Sequence, residues 1–122
     1  MALQRAIFWT PRVLGLLFAL FLSLFALDVF GQGYGFWGTL LAFVIHLLPV
    51  WLLLIGLALA WRWDWVGVLI FGGFAVWYLA TMWGPFPLAA NLVGVLPIAG
   101  PALLIGLLFL LSWQTRAHAH LP

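Results

Sequence analysis

Apolar residues fill four long stretches of this chain, at positions 13–30, 36–61, 65–83 and 92–113, with only short segments between them. At about 1.5 Å per helical residue each stretch is long enough to cross a hydrocarbon core. The charged positions punctuate this pattern asymmetrically. Arg5 and Arg12 precede the first stretch, Arg62 separates the second from the third, and Arg116 follows the fourth, whereas segments 31–35 and 84–91 carry no charge. By the positive-inside rule this predicts both termini in the cytoplasm. Short connections make sequential helices antiparallel neighbours. The expectation is an all-α, integral membrane four-helix transmembrane bundle, up-down-up-down and N-in/C-in. It forms one domain over 1–122, with helices at approximately 11–30, 36–61, 65–83 and 91–113.

Turn and breaker residues refine the boundaries. Thr10 and Pro11 read as an N-cap and first turn, since proline's missing N–H costs nothing there. The glycines at 31, 33 and 35 mark a reversal. Asn91 is expected to cap the fourth helix, which Pro97 and Pro101 should kink, leaving freed carbonyls near Val93 and Gly94 and a cavity beside them. Small residues predict the packed faces: Gly15, Ala19, Ser23 and Ala26 on the first helix, Ala42, His46, Pro49, Gly56 and Ala60 on the second, Ala102 and Gly106 on the fourth. His46 is thereby expected to face protein.

Composition narrows the class. With 68 % apolar and 5 % charged residues, the chain has too little polar surface for a soluble globule. Its four arginines are isolated, which argues against nucleic acid as a partner. The absence of cysteine removes disulfides, thiol nucleophiles and thiolate metal sites. Around the second turn Trp61, Arg62, Trp63, Asp64 and Trp65 read as an interfacial anchor, with indoles at the water boundary and a local Arg62–Asp64 pair.

Ionisable groups within the spans are the first functional candidates, and they are Asp28 and His46. His46 falls about 15 Å below the outer end of its helix and Asp28 about 4 Å below, too far apart for a direct hydrogen bond. Three readings of His46 stay open. It can be a neutral packed imidazole bonded to a helix carbonyl or to Ser23. It can hold a tetrapyrrole, haem or chlorophyll, as a cofactor. Or it can join Asp28, Ser23, Tyr78 and Asn91 in a polar pathway for protons or a solute. Catalysis finds little support, because paired carboxylates and a metal cluster are missing and Ser23 with His46 is only a formal dyad, a serine in a small-residue stripe being far more often a packing contact. His118 and His120 in the tail supply only two imidazoles for a weak metal contact.

The segment 17–30, the Phe36-Trp37 pair, the piece from Ile45 and His46 to Pro49, the Trp61 to Trp65 turn and the closing segment 100–113 together resemble a family of small prokaryotic four-span membrane proteins of unknown function. The resemblance covers most of the chain. It implies the four-span fold and draws attention to Asp28 and His46, but it carries no activity; the proline-rich stretch from Pro85 to Pro97 departs from the pattern. The functional expectation is a non-enzymatic accessory or interaction subunit, or a homo-oligomer, in the cell membrane, with the bilayer, other copies or a larger membrane complex as partners. A small oligomeric transporter or channel using Asp28 and His46 is the alternative, and a tetrapyrrole-binding subunit the second.

Overall fold

Glycine or proline lies at several of the helix boundaries in this chain, but not at the break over 61–63, where neither occurs. The structure, a computed structural model, describes residues 2–119, with the side chains of Asp28 and of residues 116–119 outside the described set. Helix α1 spans Ala2–Phe25 and continues into a 3-10 turn at Ala26–Val29. Helices α2 (Gly35–His46), α3 (Leu48–Ala60), α4 (Asp64–Met82) and α5 (Leu88–Ala119) follow. Among the described residues there is no strand.

Three boundaries differ from the expectation. The first helix starts at Ala2 and carries Pro11 in its interior, and the Thr10 hydroxyl donates to Ala6 O at 2.6 Å, one turn back, instead of capping an N-terminus. The second stretch is two helices, because Pro49 has no N–H to return to Ile45 and its ring crowds that carbonyl. The break falls at Leu47, and α2 and α3 meet at 43°. In contrast, α5 continues through both Pro97 and Pro101 and begins three residues before Asn91, so Asn91 is not its cap. Helices α1, α4 and α5 are each long and apolar enough to cross a membrane, while α2 and α3 reach that length only as a bent pair.

Helices α1, α3, α4 and α5 form a closed ring in which α1 packs against α3 and α5, and α4 against the same two. Its core contains Phe18, Leu53, Leu57, Phe71, Ile105 and Phe109. In lipid the attraction between apolar helices comes from close packing, so small residues decide how near the backbones can come. The face of Gly67 lies under the ring of Phe109, and Gly106 approaches the Gly72 backbone so closely that an added Cβ would stand 3.0 Å from its nitrogen. Between α3 and α4, a Cβ on Gly56 would lie 2.6 Å from Ile70. Of the residues expected on packed faces, Gly15, Ala19, Ala26, Gly56, Ala60, Ala102 and Gly106 are buried.

Helix α2 stands apart. It touches mainly the 3-10 turn and, lightly, α3, and it has no buried residue. An open apolar groove of about 480 Å³ therefore lies between α3 and α4, lined by Leu48, Pro49, Leu52, Ile70, Phe74 and Trp77 among others. A second groove, about 340 Å³, runs between α1 and α5 beside Pro97 and Pro101; Val93 and Gly94, where a cavity was expected, do not line it.

Candidate functional site

The strongest polar constellation joins three residues that the chain separates widely: Arg12 on α1, Asp64 at the start of α4 and Ser112 on α5. Arg12 is 0 % exposed and Asp64 3 %. The Arg12 Nη2 group donates to the Asp64 Oδ1 atom, to Ala60 O at 2.9 Å and to Trp61 O at 3.4 Å, and Nη1 donates to Phe8 O at 2.6 Å. The Ser112 hydroxyl donates to the other carboxylate oxygen, Oδ2, at 3.0 Å. The guanidinium also lies over Phe8, 3.7 Å from its centroid, with Phe109 and Trp61 at 5.2 and 5.7 Å.

The turn between α3 and α4 explains why both charges settle there. Ala60 and Trp61 present the carbonyl-rich end of α3, which favours a cation, and Asp64 occupies the first turn of α4, where the N–H end favours an anion. One ion pair thus meets two complementary helix ends. It ties α1, α3, α4 and α5 together at one end of the ring. Both carboxylate oxygens are engaged and Ser112 is fully buried, so this Ser–Asp pair holds helices and offers no accessible nucleophile.

This corrects the expected Arg62–Asp64 pair. Residues two apart point to different sides of a turn, and Arg62 instead lies 5.9 Å from the Trp63 ring, exposed. Trp63 and Trp65 are exposed, while Trp61 is half-buried and meets Trp9 edge to face. Asp64 belongs to the interior. A signal for Arg12 was present in the chain, since it lies three and seven residues before Gly15 and Ala19 and so extends their packed stripe.

Among the described side chains, three of the expected polar candidates make local contacts. Ser23 donates to Leu20 O at 2.6 Å within its own helix, and Tyr78 stacks on Phe74. Asn91 is buried and staples the α4–α5 connection: its side-chain oxygen accepts from Gly84 N at 3.0 Å, and its nitrogen donates to Gly84 O and Phe86 O. The Asp28 side chain and those of His118 and His120 lie outside the described residues.

His46 does not face the packed interior as expected. The break at Leu47 separates the Ala42–His46 face of α2 from the Gly56–Ala60 face of α3, so the stripe that predicted burial is no longer continuous. The imidazole is exposed, with Nδ1 2.8 Å from Ala42 O, and Ser23 is not its partner. Among the described residues no group of three or more His, Cys, Asp or Glu could hold a bare metal ion.

No curated protein and no solved structure matches this chain. A family profile does, over residues 1–120. The chain belongs to the family described as domain of unknown function DUF7670, in keeping with the sequence resemblance to a family of unknown function.

Proposed function

We propose that this protein is a small four-span subunit of the cell membrane, both termini cytoplasmic, that works by associating with other membrane helices and not by catalysis. The observation that supports this reading is α2, an apolar helix with no buried residue, joined across a 43° bend to a helix that is packed. Counting α2 and α3 as one bent span gives four spans. Contacts of Arg12 with Ala60 and Asp64, and of Ser112 with Asp64, bring the α1, α3–α4 and α5 segments nearest Arg5, Arg62 and Arg116 to one end, in keeping with a cytoplasmic face. Self-association through α2 is the form to test first.

The absence of native cysteine makes single-cysteine probes clean. Leu41→Cys and Ile45→Cys, on the exposed face of α2, are expected to form a covalent dimer on oxidation in native membranes, and Leu107→Cys on α5 is not. A monomeric mass in mild detergent with no α2 adduct would remove the reading. Orientation is checked separately. Gln32→Cys and Leu88→Cys should react with an impermeant reagent from outside, while Trp63→Cys should not; the opposite pattern reverses the topology.

A further inference from the structure

We propose that His46 is the axial ligand of a metallated tetrapyrrole, a planar macrocycle that brings its own metal. The imidazole closes α2, about 16 Å along the helix from Gly35, where a span's midplane falls. Ala42 O, 2.8 Å from Nδ1, can only accept, so Nδ1 carries a proton and in the neutral ring Nε2 keeps its lone pair. Metal-bound histidines have this form, the second ring nitrogen donating to a carbonyl that fixes the tautomer and the ring.

The surroundings select the class of ligand. His46 is exposed on a helix with no buried residue, beside exposed Val44, Ile45 and Leu48, so in a bilayer the Nε2 lone pair meets hydrocarbon. A polar atom left unbonded there is costly, and an electron-pair acceptor removes the cost. A bare ion needs three or four protein ligands, which the described residues do not assemble. A metal already held by four macrocycle nitrogens needs only one or two from the protein. Leu48 and Pro49, two and three residues beyond His46, help line the 480 Å³ groove whose walls include Phe74 and Trp77. That groove supplies an apolar and aromatic surface against which a macrocycle or its tail can pack.

The proposal does not depend on self-association, and its test reads ligation directly. Purified protein in lipid nanodiscs is titrated with zinc protoporphyrin IX and, in parallel, with metal-free protoporphyrin IX, with far-UV circular dichroism confirming that every variant is helical. The zinc form is expected to bind saturably with a red-shifted Soret band. His46→Ala should weaken it at least about tenfold and abolish the shift. In His46→Gly, added imidazole should restore the shift. Equal binding of the metal-free macrocycle, an unchanged His46→Ala titration, or mere partitioning without saturation would each overturn the assignment.

Discussion

Arg12→Ala is expected to lower the unfolding free energy in detergent by about 3–5 kcal/mol, because it strips the cation from a buried carboxylate. Removing Asp64 instead should hurt less. In Asp64→Ala the guanidinium keeps Phe8 O, Ala60 O and Trp61 O, so the loss is that of a charged hydrogen bond, about 1.5–3 kcal/mol. Arg12→Lys should recover little, since an ammonium on a single stem cannot reach acceptors on α1, α3 and α4 at once as the planar fork does. The double variant Arg12→Met with Asp64→Leu removes both charges and should be more stable than Arg12→Ala. Thermal unfolding of this set, followed by circular dichroism, checks the ranking. Arg12→Ala within about 0.5 kcal/mol of the parent, the range of ordinary surface changes, would mean the network is dispensable.

Glycine substitutions in α4 and α5 are expected to split by sign. A methyl at Gly67 would fall on the ring of buried Phe109, and one at Gly106 would press on the Gly72 backbone, so Gly67→Ala and Gly106→Ala should each destabilise by about 1–3 kcal/mol. At Gly72 and Gly73 an added Cβ meets nothing within 4 Å, although both lie in the same helix. There the gain in helix propensity should stabilise α4 by up to about 1 kcal/mol. Phe109→Leu should partly rescue Gly67→Ala and not Gly106→Ala, since only the first clash is with that ring. If all four glycine variants melt alike, the α4–α5 interface is not closely packed at Gly67 and Gly106.

Some of this was readable from local pattern. The small-residue stripes foretold that Gly15, Ala19, Gly56, Ala60, Ala102 and Gly106 are packed, because close helix contacts in lipid demand small side chains wherever they occur. Gly67 escaped notice, as a lone glycine in an apolar run looks like any other until the ring above it is known. The same limit applies to Asn91. A polar residue at the head of a span reads as a cap, yet its partners Gly84 and Phe86 precede the helix and hold the connection to it. Asp64 was assigned to its nearest cation in sequence, and the cation that reaches it lies 52 residues away.

Hydropathy and arginine placement by themselves determined that this is an all-helical chain with membrane-length apolar segments, because the bilayer forces backbone hydrogen bonds to close within each segment. Only the tertiary structure decided what the polar residues do. Whether Arg12 meets Asp64, whether His46 turns inward, and whether the second stretch is straight depend on which helix ends coincide and on the break that Pro49 imposes at Leu47. Side-chain partners across a bundle are set by three-dimensional approach, for which periodicity supplies the face but not the neighbour.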